Sequence, residues 1–547
     1  MINYLTNCIK KHLNRKQFEK HNKKFFVSNK KKNYVLVEFN KWAYLHVIKS
    51  YVSKCLCNRH NAQLLAFESY TIISEKLFRG IFKKILRSLL IFFSMGTYGV
   101  YKSFGVKKFI YPNIKKKDYF NKEFVIKKII KKTDSKEKFL NLVIDGVYIG
   151  DLMYDSYLKK YNLNTVEVKS NEFKLFLKEF LVLFFWWFNF IKTNKKKIKS
   201  FIIIHAVYSF GLPSRIASRF NIDSYLVSHK SIVKINQNNR YITNGVNKNL
   251  SFFNKLDKKN KKKIYNFSKE EINKITKGIS KTGKNYKTKI RNIKIFNPTN
   301  KKKILVCCHH FNDAPHVYGK FFASDFVEWY KILDKLSKKN DYLWLIKPHP
   351  ENYDKDITFF KRFFFNKENF LILNKKFSNQ EILKQNIDLA LTCFGTINFE
   401  YPFLGTKVLN FSRNHPYKKF NFSYSPINIK QYENFITNKN NFKYSINKKE
   451  IYTFYYLKRI FLNVDYMYLN LHPKNDLDGY RLKTKFFKTN FYQKWILNFD
   501  TKKHKLKYQN IDNFINSGEY FMNNLHLENS NQKNLNRKVF IDLTFSR

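Results

Sequence analysis

Acidic residues are scarce in this chain: 40 Asp and Glu stand against 104 Lys and Arg, a formal net charge of +64 over 547 residues. A nucleic-acid binder concentrates its cations on one surface and favours arginine for reading bases. Here the lysines are spread along the whole length, in runs such as Lys115 to Lys117, Lys195 to Lys197, Lys258 to Lys263 and Lys301 to Lys303. The imbalance therefore reads as lysine-filled solvated faces in a chain rich in residues with A/T-rich codons, and nucleic acid is not an expected partner. Attraction to an anionic membrane surface is the functional alternative, since each basic group near such a surface contributes roughly 1 kcal/mol. Cysteine is also sparse. Cys8, Cys55, Cys57, Cys307, Cys308 and Cys393 form no paired C-x-x-C arrangement, which removes a zinc module and fits reduced thiols in a cytoplasmic protein. Met1 to Lys24 lacks the apolar stretch of a signal peptide, so secretion is not expected. A clean membrane span is missing too. The most apolar stretch, Phe173 to Ile191, is interrupted by Lys174, Lys178 and Glu179 and reads as a core or membrane-surface helix.

What is present is ample apolar material, 44% hydrophobic and 18% aromatic, enough for more than one packed core. From Tyr34 the order is strand (YVLVEF), helix (Lys41 to Cys57) and strand (QLLAFE). Helices at Ser74 to Phe93 and Lys122 to Lys132, and strands at Lys108 to Tyr111, Leu142 to Ile144, Phe201 to Ile204 and Tyr225 to Val227, continue the alternation. Between the last two strands, Pro213 opens a helix. A Lys/Asn-rich stretch precedes a second alternating series, with strands at Ile304 to Cys307, Tyr342 to Ile346, Phe370 to Leu373, Ile387 to Leu391 and Lys407 to Asn410. The pattern predicts α/β architecture: two Rossmann-like domains facing a cleft, with a helical C-terminal segment. The boundaries read as a basic extension over 1–32, an acceptor domain over 33–235, a connection over 236–300, a donor domain over 301–447, and helices with a polar, peripheral tail over 448–547.

Two strand-end motifs carry the chemistry. Lys347-Pro348-His349-Pro350 follows the apolar strand YLWLI, which places its side chains at the carboxyl edge of the sheet where such folds bind ligands. Proline on either side fixes the direction of His349. A lysine beside a histidine donor suits a leaving group whose negative charge grows during reaction. The plain alternative is a turn with a surface histidine, and His-Pro recurs at His415-Pro416 and His472-Pro473. In the second motif Gly395 permits a tight turn, Thr396 caps a helix whose N-terminus favours phosphate, and Glu400, one turn on, can accept from ribose hydroxyls. The alternative there is an ordinary cap with a solvated glutamate. The two motifs are expected on neighbouring strands.

The segments VCCHHFNDAPH, LWLIKPHPE and TCFGTINFEYPFLGTKVLNF resemble the donor-binding half of bacterial capsule and surface polysaccharide biosynthesis proteins, glycosyltransferases of the GT-B type that include Kdo transferases. IDGVYIGDLMYDSYL is similar to a stretch in proteins of the same kind. The resemblance covers roughly Asp145 to Asn410 with gaps. It implies a nucleotide-sugar donor, CMP-Kdo among the candidates, held at its phosphates by Lys347, His349 and Thr396 and at its ribose by Glu400. It also implies a glycan or lipid-linked acceptor, and a site at the inner face of the membrane. Lys407 stands where such loops often carry proline, which leaves the base of the donor open. Nucleotide-sugar epimerases share the two-domain plan, and a non-catalytic role in polysaccharide assembly or export is a third reading.

For the acceptor side, Asp145 at a strand end is the expected base, with Asp151 and Asp155 one turn apart on a following helix. A carboxylate that only bonds turn amides is the alternative for Asp145. His309, His310, Asp313 and His316 are expected on the cleft floor, touching substrate rather than metal. The D-x-D pairs at Asp354 to Asp356 and Asp476 to Asp478 follow no strand. The expectation is a metal-independent transferase with no cofactor beyond its nucleotide-sugar substrate.

Overall fold

The computed structural model describes residues 2–26, 32–69, 81–112, 114, 122–228, 231–242, 245–277, 294–463, 491–497 and 499–526. His472-Pro473 and Asp476 to Asp478 lie outside them. The chain divides into two compact units, one built from residues 1–160, 167–242 and 461–547, the other from 161–166 and 243–460.

The first unit is organised by six strands: β1 (Asn33–Glu38), β2 (Ala62–Phe67), β3 (Val106–Ile110) and, after a small hairpin of β4 (Val143–Ile144) and β5 (Val147–Tyr148), β6 (Ile198–Ile203), β7 (Asp223–Val227) and β8 (Ile232–Ile235). Their order is β3-β2-β1-β6-β7-β8. All neighbours run parallel except β7 and β8. Central strands made of Val, Leu and Ile suit a sheet covered on both faces. The helix Asn171–Asn194 buries Phe173, Phe176, Phe180, Phe184, Trp187 and Ile191 along one stripe, and each such side chain contributes about 1.5–3 kcal/mol. The interrupted apolar stretch is thus a core helix. Among the described residues no helix is long and apolar enough to cross a membrane.

Helices from early and late in the chain both enter this core. The helix Ile2–Phe26, expected as a basic extension, buries Phe18 and Phe26, and Phe18 stacks on Tyr492 with ring centroids 4.4 Å apart. The stretch after Lys502, expected to be polar and peripheral, forms the helix Thr501–Ser517 against the helix Ala43–Arg59. His504, Lys507, Ile511, Phe514 and Ile515 recur at helical spacing on its buried side. Tyr51 Oη and His504 Nδ1 are 2.8 Å apart. Beyond that helix, Met522 N–H donates to Ile232 O at 3.0 Å and Lys234 N–H to Tyr520 O at 2.7 Å, so the chain pairs along the edge strand β8.

The second unit carries β9 (Lys302–Cys307), β10 (Tyr342–Lys347), β11 (Phe370–Ile372), β12 (Leu389–Thr392) and β13 (Lys407–Asn410), all parallel, in the order β11-β10-β9-β12-β13. Side chains alternate across it. Ile304, Val306, Trp344 and Ile346 meet Trp329 and Leu333 on one face, while Leu305, Leu345 and Val408 meet Ile382 and Tyr401 on the other. The stretch expected as a connection holds the helices Gly245–Asn254 and Lys258–Thr276, and the second of these packs on the helix Lys448–Tyr456. Its lysines face solvent while Ile264 and Ile272 are buried, so a Lys-rich amphipathic helix lies where composition alone suggests a linker.

Candidate functional site

In an open parallel sheet the chain leaves a crevice where its direction of travel reverses, outside the carboxyl ends of the strands. In the second unit that reversal lies between β9 and β12, because β10 and β11 extend the sheet to one side of β9 and β12 and β13 to the other. The two expected motifs end β10 and β12, so they are not on neighbouring strands. β9 separates them, and its continuation, Cys308-His309-His310, occupies the middle of the edge.

Lys347 is the last residue of β10 and is only 7% exposed. Strand alternation points it to the face that carries the helices Asn379–Leu383 and Ile397–Phe403, beside Cys307 of β9 and Glu400. Its ammonium makes no hydrogen bond or salt bridge with the described residues. Burial pulls its pKa below the usual lysine value, opposed by the nearby thiols of Cys307 and Cys308 and by Glu400. Two residues on, the half-buried His349 accepts the Glu351 N–H at Nδ1, 3.2 Å away. A neutral ring that accepts at Nδ1 carries its proton on Nε2.

The turn after β12 is built differently from the expectation. Thr396 is exposed and its side chain makes no bond to the helix amides, so it is not a side-chain cap. The turn is held instead by Thr392, whose hydroxyl oxygen accepts Gly395 N–H at 3.1 Å, and by His309, whose Nε2 accepts Cys393 N–H at 3.2 Å. Thr392 Oγ1 and His309 Nε2 are themselves 3.2 Å apart. A Cβ on Gly395 would lie 3.0 Å from Thr392 Oγ1, which is why glycine fits there. Glu400 does lie one turn from Thr396, and its carboxyl accepts from the Thr396 hydroxyl and from Asn379 Nδ2 at 3.5 Å. Burial raises its pKa, while Thr396, Arg459, Lys347 and Asn379 lower it.

The histidines after β9 are structural in part. His309 lies between the rings of Phe326 and Phe394, at 4.9 and 4.5 Å, and burial, helped by His349, holds its pKa at about 3. It pins β9 to the turn after β12. His310 is buried against His349 and Tyr353, with ring centroids 5.9 and 5.5 Å apart. His316 is buried against Phe321, while Asp313 is exposed. Asp354 and Asp356 start the helix Asp354–Phe363, where Asp356 accepts Tyr353 N–H at 2.9 Å. Among the described residues no three His, Cys, Asp or Glu side chains gather to hold a metal ion.

In the first unit the expected base is displaced. Asp145 does not end a strand of the sheet. Asp145 and Gly146, at φ 49° and 75°, turn the two-residue hairpin of β4 and β5, and Asp145 is exposed. An Asp-Gly pair is the composition that this turn demands, and it overrides the reading of Leu142 to Ile144 as a sheet strand. Asp151 is buried and fully engaged. Both its oxygens meet Arg215, at 3.0 and 3.1 Å, and Tyr241 donates to it at 2.7 Å. Asp155 is buried on the same helix face.

The reversal point of this sheet, between β1 and β6, holds residues that no sequence motif marks. Glu38 ends β1 at 1% exposure, accepts Ile204 N–H at 2.7 Å and the Ser69 hydroxyl, and is raised in pKa by burial. The buried Lys49 donates to Glu38 O at 2.5 Å and to Tyr101 Oη at 3.0 Å, and burial lowers its pKa to about 7. His205 follows β6, half-buried, with Trp42 edge-on at 5.6 Å. Burial and then the Lys49 charge lower its pKa, so it stands neutral at neutral pH. A signal does exist in the sequence: an acid at the end of YVLVE and a histidine at the end of FIII occupy the same edge position as Lys347.

No protein-family model matches the sequence, and no curated protein is detectably similar to it. Solved structures align with the chain at low identity and low TM-score. The beta-Kdo 2,4 transferase KpsC of Thermosulfurimonas dismutans aligns over 48% of this chain and 80% of its own, at 13% identity and a TM-score of 0.33. The UDP-GlcNAc 2-epimerase of Methanocaldococcus jannaschii aligns over 77% and 97%, at 11% identity and TM-score 0.25. MurG of Acinetobacter baumannii aligns over 77% and 94%, at 8% identity and TM-score 0.22. At TM-scores of 0.33 and below these alignments carry no argument about function, which rests on the residues of this chain.

Proposed function

We propose that the protein is a glycosyltransferase that moves a sugar from a nucleotide-sugar donor, CMP-Kdo among the candidates, to a surface glycan or lipid-linked acceptor. The observation that supports it most is Lys347: a buried ammonium with no bonded partner among the described residues, at a sheet's carboxyl edge, two residues before His349. An isolated buried cation is costly, and a diphosphate or phosphodiester offsets that cost on binding. In this reading Lys347 and His349 neutralise charge on the leaving phosphate, where a fixed donor is worth about 2.7–4 kcal/mol of barrier. Glu400 accepts from ribose hydroxyls. Gly395 and Thr396 line the phosphate side of the turn, with His310, Asp313 and His316 at its margin. In the first unit we assign the acceptor-side base to His205 rather than Asp145, since a neutral histidine at a strand end can take the hydroxyl proton as the bond to the sugar forms.

The test is a thermal-shift panel over CMP, UDP, GDP and CDP compounds, in which a ligand at 100 times its Kd stabilises by about 2.7 kcal/mol. One nucleotide class is expected to stabilise wild type. His349→Ala is expected to keep its melting temperature and lose transfer by a hundredfold or more. Unchanged transfer in that variant would remove His349 from the mechanism. A donor converted to its epimer without any acceptor would replace transfer with epimerisation.

A further inference from the structure

The helix Ile81–Phe92 exposes an apolar face. Its buried side holds Arg87, 8% exposed, which reaches Glu68 at 3.2 Å and lies 4.3 Å over the ring of Tyr111. Its outward side is apolar: Ile85, Leu86, Leu89 and Phe92 are 54%, 45%, 48% and 77% exposed. Phe93 and Met95 in the turn after it extend the patch, at 62% and 50%. Positions 85, 86, 89, 92 and 93 fall on one helical face, so the exposure is continuous rather than scattered. Water solvates such a face poorly, and soluble surfaces seldom carry one without a use for it.

The surrounding charge selects the occupant. From Ile81 to Pro112 the sequence has six basic residues and no acidic one. Of these, Lys84 and the edge-strand residues Lys107 and Lys108 are exposed. Large apolar side chains on the helix, with exposed lysines on the helix itself and on the edge strand β3 whose end Arg87 meets, match the boundary of an anionic bilayer, where apolar groups enter the acyl region and ammonium groups meet the headgroups. A protein partner of ordinary surface composition offers no reason for this excess of cations. Glu68 and Tyr111, which anchor Arg87, come directly after β2 and β3, so the helix sits at the carboxyl edge of the first sheet.

We infer that the outward face of the helix Ile81–Phe92, with Phe93 and Met95, docks the protein on an anionic membrane surface. The inference stands independently of the donor site. Full-length protein is expected to co-sediment with vesicles of phosphatidylcholine containing phosphatidylglycerol at least tenfold better than with phosphatidylcholine alone. The pair Leu89→Asp and Phe92→Asp should cut that partition tenfold or more. Both residues are exposed, so the melting temperature and any nucleotide-induced shift should not move, which separates loss of docking from loss of the donor site. A Phe92→Trp variant should blue-shift its emission on anionic vesicles only. Equal binding of the double variant and wild type would overturn the inference. So would no vesicle binding by wild type, or a wild-type dimer that the double variant abolishes, since the face would then cover a second copy.

Discussion

At the scale of single residues, Lys347 separates a functional from a structural role. A buried lysine kept only for packing should be replaceable by methionine, which fills similar space, without affecting ligands. If the ammonium is kept for an anion, Lys347→Met relieves a buried charge that Glu400 only partly offsets and removes the anion's partner in one step. The expected outcome is a rise in melting temperature of about 2–4 °C, on the order of 1 kcal/mol, together with loss of the nucleotide-induced shift. A variant that is more stable and still binds would reduce Lys347 to packing. The acceptor side allows the same contrast between residues. His205 is half-buried at a strand end beside Lys49, whereas Asp145 turns an exposed hairpin. His205→Ala should lower kcat by about 10²- to 10⁴-fold with little change in donor affinity, and Asp145→Ala should leave kcat near wild type. The reverse pattern in steady-state kinetics would return the base to Asp145.

At the scale of elements, what could be read from sequence was what is local. β10 and β12 are short apolar runs whose ends are marked by Lys347-Pro348 and by the turn at Gly395, so strand, edge and candidate ligand all lie within ten residues of one another. Glu38 and His205 sit at the same kind of edge and were just as legible, but no flanking proline or glycine marks them. The hairpin at Asp145 is illegible because a two-residue strand has too few positions to show a period of two. The C-terminal helix is hidden for another reason: its partners, Tyr51, Cys55 and Asn58, are some 450 residues earlier in the chain. Its buried residues look sparse in a Lys/Asn-rich stretch until the surface they meet is known. That packing carries its own prediction. Ending the chain after Leu497 removes the buried Ile511, Phe514 and Ile515 and uncovers the helix Ala43–Arg59, a loss of several kcal/mol. Circular dichroism melts should show the transition of the first unit falling by more than 10 °C or vanishing, with that of the second unit in place. A truncated chain that melts like wild type would make the tail peripheral after all.

At the scale of the whole molecule, both units depend on histidines that fold neutral. His46 accepts from Tyr492 and donates to Asn40 O, at 2.9 Å each, and burial holds its pKa at about 3. His504 is held at about 4, by burial first and then by Lys54, His21 and Lys507. In the second unit His309 and His415, each accepting a backbone N–H at 3.2 Å, are also held at about 3 by burial. Unfolded, each titrates near 6.5. Between that value and the folded one the unfolded chain binds more protons, so stability rises with pH through this window and falls as pH drops from 6.5 toward 3. Each histidine contributes a slope of up to about 1.4 kcal/mol per pH unit. Glu38 acts in the opposite sense in the first unit: its raised pKa costs stability as pH rises above the normal carboxyl value, so acid relieves part of that cost. In each unit an acid raised in pKa by burial opposes the histidines, Glu38 or Glu400, but burial also lowers the pKa of His21, His60 and His205 in the first unit, so the first unit should soften more steeply between pH 6.5 and 4.5. Calorimetry across this range should show its transition falling faster than that of the second unit. His415→Gln cannot take up the proton, so whatever it costs at pH 7, it should flatten the pH slope of the second unit by about 1.4 kcal/mol per unit. An unchanged slope in that variant would mean that His415 titrates alike in both states and that acid acts through other groups.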